Sequence, residues 1–321
     1  MAIFDNGLFS QDDFLQIENV LYSPIEEELI HRELFRINSS WADFAQEIGY
    51  DYFKRQGSAK ILASGGGAKD IPFVGEGSGG RVTQKVYTVV SGIRFTKAEI
   101  AAIAAKRALG KGPSLQLDTH RIDSARRFIR EKEAAIAFAG DSEYGILGLF
   151  DDSFYGTDLG TKENVAAGAT GATTAEKRLW SNKTAQEILT DLETAMNAIE
   201  SDGLFKARTL VLPPAQYNRL KKPFSETGDS RTLLMWLEST GMYVEKIISS
   251  NQLKTTNNGD TVDYFLMIDN SPINVELSLI NEISLGKPVE DIVGTQEMAV
   301  TLDTAGIIVR HPGALYVGKG I

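Results

Sequence analysis

Cysteine is missing from this 321-residue chain. Without it there are no disulfide staples, no thiolate metal ligands and no thiol nucleophile. Histidine is scarce: His31, His120 and His311 are the only three, far apart and without a partner at ligand spacing. Solvated or core-edge histidine explains them better than a metal centre or a catalytic triad. No run approaches the roughly 20 apolar residues of a membrane helix. The opening MAIFDNGLFSQDDF carries neither the basic segment nor the apolar core of a secretory signal, so residence in a cytoplasm is the expectation. Neither G-x-x-x-x-G-K-S/T nor G-x-S-x-G occurs, which removes two common chemistries, the phosphate loop and the nucleophile elbow.

Positive charge is lacking at the start. No Lys or Arg precedes Arg32, while Asp12, Asp13, Glu18, Glu26, Glu27 and Glu28 make that region acidic. Basic residues outnumber acidic ones from Arg32 to Lys132, and acid dominates again beyond Gly140. The net charge of −10 argues against a protein whose task is gripping nucleic-acid backbone. Charge runs are usually solvated faces; the alternative is complementary strips that meet between neighbouring copies. With 42% hydrophobic and 24% charged residues, the composition is that of a globular protein with a sizeable core.

What is present is organised around the stretch from Asp118 to Phe150. Ile122, Ala125, Ile129, Ile136 and Ala139 recur at helical spacing, Phe128 and Ala135 widen the stripe, and Arg121, Arg126, Arg127, Arg130, Glu131, Lys132 and Glu133 populate the rest of the surface. The spacing predicts one amphipathic helix over 119–139, roughly 30 Å long, capped by Asp118 or Thr119 and stopped at Gly140. Gly140, Gly145 and Gly148 then divide a tight turn that ends in an apolar plug, Ile146, Leu147, Leu149 and Phe150.

Before this rod, residues 1 to about 28 show no sustained period and read as an extended arm. Ser23-Pro24 opens a short helix with Ile25, Leu29, Ile30, Leu34 and Phe35 on its apolar face, and Trp41, Phe44 and Ile48 continue the pattern. Tyr50–Ala63 and Val82–Phe95 are β-type runs around a glycine-rich tip, a long hairpin. Such a ribbon is marginal in water alone and needs a surface to lie on. Thr96 and Glu99 form a capping box for an alanine-rich helix. After the rod, Thr184 and Glu187 form another, opening a helix with Ile188, Leu189, Leu192, Ala195, Met196 and Ile199 on one face. Strands at Ala207–Leu212, Tyr243–Ser249 and Val262–Asp269 alternate with short helices, a mixed α/β domain. Asn274–Ile280, Thr295–Asp303 and Gly306–His311 are the last strand candidates.

Residues 137–149, AFAGDSEYGILGL, have the form A-F-x-G-x-x-x-x-G-I-x-G-L. In this segment, and in the order of elements from about Ser23 onward, the chain resembles the major capsid proteins of tailed bacteriophages, whose fold is shared with bacterial encapsulin shells. The resemblance implies an α+β phage major-capsid fold. Its parts would be an N-terminal arm and short helix (1–49), an extended hairpin loop (50–96), a peripheral domain with the spine helix (97–150 and 274–321) and an α/β axial domain (151–273). It implies a structural protein, not an enzyme, that assembles with copies of itself through pentamers and hexamers into an icosahedral shell around phage DNA. The virion would be its place and the host cytoplasm its site of assembly. Portal, scaffold or cement proteins are candidate further partners; no membrane, cofactor or metal is expected. An encapsulin-type compartment is the alternative. Contacts between copies are expected at Lys54, Arg55, Lys60, Lys69, Arg81, Lys85, Arg126, Arg127, Glu26, Glu27 and Glu28.

Some motifs point elsewhere and are weighed against this. Gly75-x-Gly77-x-x-Gly80 matches the dinucleotide fingerprint, which works only where a helix follows and holds the pyrophosphate. Here RVTQKVYT follows and reads as strand. Asp151-Asp152 and Glu26–Glu28 could hold a cation, but exposed carboxylates usually hydrate. Some capsids of the family weld subunits through a lysine–asparagine bond; that needs a lysine in an apolar, carboxylate-bearing site, and the sequence places none.

Overall fold

The computed structural model describes residues 26–61, 73–108, 117–156, 159–223, 231–240 and 244–321. They divide into two compact units. The smaller takes Val90–Phe128, Leu285–Val300 and the described end of the N-terminal stretch; the larger takes Leu29–Val89, Ile129–Ser284 and Thr301–Ile321.

In chain order, α1 (His31–Leu34) and β1 (Arg36–Asn38) come first, then β2 (Glu47–Gln56), β3 (Gly75–Lys85) and β4 (Tyr87–Phe95). Helices α2 (Lys97–Ala108) and α3 (Leu117–Phe138) follow, then the small strands β5 (Gly140–Asp141) and β6 (Ile146–Leu147). Next are β7 (Thr161–Asn164), α4 (Thr174–Arg178), α5 (Ala185–Glu200), β8 (Thr209–Leu212), α6 (Pro214–Leu220) and α7 (Leu233–Thr240). The chain closes with β9 (Lys246–Ser249), β10 (Tyr264–Ile268), β11 (Val275–Leu285), β12 (Val289–Glu290), β13 (Gln296–Val309) and β14 (Leu315–Lys319).

One sheet has the order β1–β11–β13–β12, with β4 also on β13; β1 runs parallel to β11. The other, wholly in the larger unit, has the order β7–β14–β10–β8–β9. Its strands Leu210, Leu212, Phe265, Met267 and Tyr316 pack on Ile188, Leu192, Ala195 and Ile199 of α5, the face that the sequence period picks out. Thr184 and Glu187 make the capping box at the start of that helix. Within this core Lys183 Nζ lies 2.5 Å from Asp191 Oδ2, and Trp180 Nε1 donates to the same oxygen at 2.9 Å. Burial pushes the Asp191 carboxyl up even so.

Several sequence expectations are redrawn. The helix of the N-terminal region is a single turn, because β1 takes over at Arg36 to pair with β11. The second hairpin run is two strands: β3 pairs with β2, whereas β4 leaves the ribbon for β13. Two strands expected at 295–303 and 306–311 are one, β13. Gly306 sits in it at φ +79°, with its N–H on Thr304 Oγ1 at 3.0 Å, so the strand kinks rather than stops. The final strand joins β7 and β10 in the second sheet.

Candidate assembly interface

The spine is α3. It buries Ala125, Ile129, Ala134, Ile136, Ala137 and Phe138. Phe128, placed on the stripe by its spacing, is 62% exposed, and Ala139 is exposed as well. Glu133, placed on the polar face, is buried at 1%. Arg32 of α1 explains it, donating Nε and Nη2 to Glu133 Oε2 at 3.1 and 2.9 Å. The buried ring of His31 adds Nε2 at 3.3 Å from that oxygen. Burial pushes the Glu133 carboxyl up, but the His31 and Arg32 contacts outweigh it and hold the group below its ordinary value. Arg32 reaches on to Glu282 of β11 at 3.1 Å.

Past the helix, Leu149 and Phe150 donate their N–H groups to the carbonyls of Ala137 and Phe138, both at 2.9 Å. These are end carbonyls that a helix leaves unpaired. The return brings two glycines together. A Cβ on Gly140 would lie 2.5 Å from Gly148 N, and one on Gly148 would lie 2.1 Å from Gly140 N. Neither position admits a side chain. Phe138 stacks on Phe150 with centroids 5.7 Å apart, so the plug seals the end of the spine.

From this body rises the ribbon of β2 and β3. Its root is pinned: Tyr50 Oη donates to Val309 O at 3.1 Å, Gln84 Nε2 to Ile307 O at 3.0 Å, and Tyr87 Oη to Tyr144 O at 2.5 Å. Beyond the root, Arg81 binds Asp51 across the two strands at 2.6 and 2.9 Å. Exposure there is high: Phe53 77%, Ile61 96%, Phe73 84% and Val74 81%. The G-x-G-x-x-G motif lies inside β3, with no helix after it. Gly80 faces Tyr52 across the ribbon, and a Cβ there would sit 2.8 Å from the tyrosine hydroxyl; an aromatic covers a glycine.

The charged residues expected at contacts are distributed unevenly. Lys54 and Arg55 lie on β2, where the register shifts between Phe53 and Arg55. Lys60 and Lys85 are exposed on the ribbon and at its root; Lys69 lies outside the described residues. Arg126 sits 3.6 Å from Asp123 on its own helix. Arg127 is brought to Glu26 at 3.4 Å and to the Glu27 carbonyl, within one chain, while Glu28 is exposed. Sequence reasoning chose charges and missed the apolar side chains of the ribbon. Their exposure is set by what the folded body leaves uncovered, not by a pattern along the chain.

Of the cation candidates, Asp152 pairs with Lys162 at 2.6 Å, and Asp151 accepts from Ser153 N at 2.9 Å. Among the described residues no group of three or more His, Asp or Glu is placed to hold a metal ion, and no helix is long and apolar enough to cross a membrane.

A long helix sealed by a glycine turn, an extended ribbon and two sheets define a shell-protein fold, and solved structures share it. The capsid of Myoviridae phage XM1 superposes with a TM-score of 0.76 at 13% identity, covering 99% of this chain and 100% of that one. A structure of Mycobacterium phage Bobi gives 0.60 at 11% identity, covering 97% of each chain. The capsid of an empty GTA particle gives 0.58 at 13%, covering 94% of this chain and 99% of that one. A comparison with curated protein sequences gives no match. The family model for the major capsid protein matches residues 57–321, and the chain belongs to that family. Its role is structural, as a capsid protein of a phage-type shell.

Proposed function

We propose that the chain assembles with copies of itself, through rings of five and six joined head to tail, into a closed icosahedral shell that encloses phage DNA. The observation that supports this is the ribbon. It is ordered at its root by bonds to β13, yet it carries Phe53, Ile61, Phe73 and Val74 into solvent. Burying one such side chain is worth about 1.5–3 kcal/mol, and a two-stranded ribbon alone is marginal. A neighbouring copy supplies the missing surface. The basic residues Lys54, Arg55, Lys60 and Arg81 then steer the approach. A net charge of −10 suits a wall that confines DNA without adhering to it. Assembly takes place in the host cytoplasm, with portal, scaffold or cement proteins as further partners. The test is negative-stain microscopy and sedimentation of the purified protein across salt and pH. Rings or shells are expected; a monodisperse monomer at every condition refutes the reading.

A further inference from the structure

Where α5 begins, the larger unit buries a nucleophile against an acyl group. Lys183 precedes the cap residue Thr184, and Asp191 lies on the second turn of the helix. Their side chains are 1% and 3% exposed, in the core that holds Trp180, Leu192, Phe265 and Tyr316. The rings of Trp180 and Phe265 lie 5.6 Å apart, and those of Phe265 and Tyr316 lie 5.7 Å apart. An ammonium carries three donors. Among the described residues Lys183 Nζ has one hydrogen-bond acceptor, Asp191 Oδ2 at 2.5 Å. Desolvation penalises each ion of a buried pair, and moving one proton from Nζ to the carboxylate removes both charges. Burial pushes the Asp191 carboxyl up, toward that neutral form. A neutral amine then faces a protonated carboxyl, the two halves of an amide.

We propose that Lys183 and Asp191 join through an amide bond within one chain. Nζ attacks Asp191 Cγ and forms a tetrahedral intermediate. Its negative charge falls on Oδ2, which accepts from Trp180 Nε1 at 2.9 Å, so a donor is already in place for the oxyanion. Oδ1 leaves as water with the carboxyl proton and one amine proton, and Nζ keeps the other. Nothing is oxidised or reduced, and no further reactant takes part. Amide bonds of about 1.33 and 1.23 Å set nitrogen and oxygen about 2.2 Å apart. Closure therefore shortens the existing 2.5 Å contact by only about 0.3 Å. Fixed approach of the two groups supplies the effective concentration that free solution lacks, and exclusion of water opposes the return hydrolysis. The bond ties the segment ahead of α5 to the body of the helix, whether or not copies of the chain assemble.

Mass spectrometry of a tryptic digest of the full chain, purified and incubated in its folded state, tests this. Trypsin cuts after lysine only while the side chain carries its charge, so the bond protects Lys183. The expected product is the uncut peptide 179–206, lighter than its sequence by one water, about 18 Da. K183R and D191A each remove one partner, and their peptides are expected at full mass with cutting after residue 183. A full-mass digest of the unaltered protein, cut after Lys183, overturns the proposal, because an ion pair alone changes no mass. A deficit of one water accompanied by normal cutting at Lys183, or one that persists in either variant, overturns it too. The unaltered chain decides the matter even where a variant fails to fold.

Discussion

Gly148 occupies a position that no other residue fits, because its missing side chain is where the backbone of Gly140 passes. Gly145, three residues earlier, has open space around it and needs glycine only for φ +69°. The two positions therefore separate steric from conformational cost. Gly145→Ala is expected to lower unfolding stability by about 1 kcal/mol, the penalty of a left-handed residue with a side chain. Gly148→Ala must push two backbone segments apart and is expected to lose at least ~3 kcal/mol. Urea denaturation of both variants decides; equal losses would mean that the turn is looser than its geometry. Glu133 gives a second residue-level prediction. Its folded-state pKa is depressed, so its stabilisation is present above the ordinary carboxylate range and disappears as pH falls through the folded value. Glu133→Gln leaves Arg32 with Glu282 as its remaining ion pair and is expected to be less stable by about 2 kcal/mol at neutral pH. The gap between variant and parent should narrow on acidification from pH 7 toward pH 3, when urea midpoints are compared; a constant gap excludes the charge as its cause.

At the scale of elements, adjacent positions on α3 face opposite fates. Ile129 is buried at 1% and Phe128 is 62% exposed. Ile129→Asp puts an unpaired charge into the core and is expected to lose about 4 kcal/mol or more. Phe128→Asp is expected to change stability by less than about 0.5 kcal/mol. Thermal and urea unfolding of the two proteins measures both, and similar losses would contradict the face assigned to the helix. The sequence period found this helix, its stop at Gly140 and the face of α5. It misassigned Phe128 and Glu133, because a residue's burial depends on what approaches it, and here Arg32 comes from 101 positions away. The single strand β13 was hidden for a related reason: Gly306 reads as a break, yet its kink is filled by Ile146 and Ile136, whose Cγ2 atoms lie 3.1 and 3.4 Å from where a Cβ would be. Of the residues expected at contacts, the basic character of the ribbon was legible. The exposed Phe53, Phe73 and Val74 were not, since their lack of partners is a property of the folded body.

For the whole molecule, the decisive property is that the ribbon contributes little to the fold that carries it. Its outer strands bond to each other, and its anchors to β13 lie at Tyr50 and Gln84. Tyr50 stands opposite Val82 in the register, so joining those two residues through Asn-Gly closes a two-residue hairpin turn of the favoured type. The shortened protein keeps the root, both sheets and the sealed spine. Its thermal midpoint is expected to stay within about 2 °C of the parent, which corresponds to roughly 1 kcal/mol or less. Its assembly is expected to vanish, leaving a folded monomer in sedimentation at concentrations where the full chain forms rings. If the shortened chain unfolds, the ribbon is part of the core's support; if it still assembles, the ribbon is not the contact that joins the copies. Stable and solitary is the one combination that fits a chain whose exposed ribbon is completed by its neighbour.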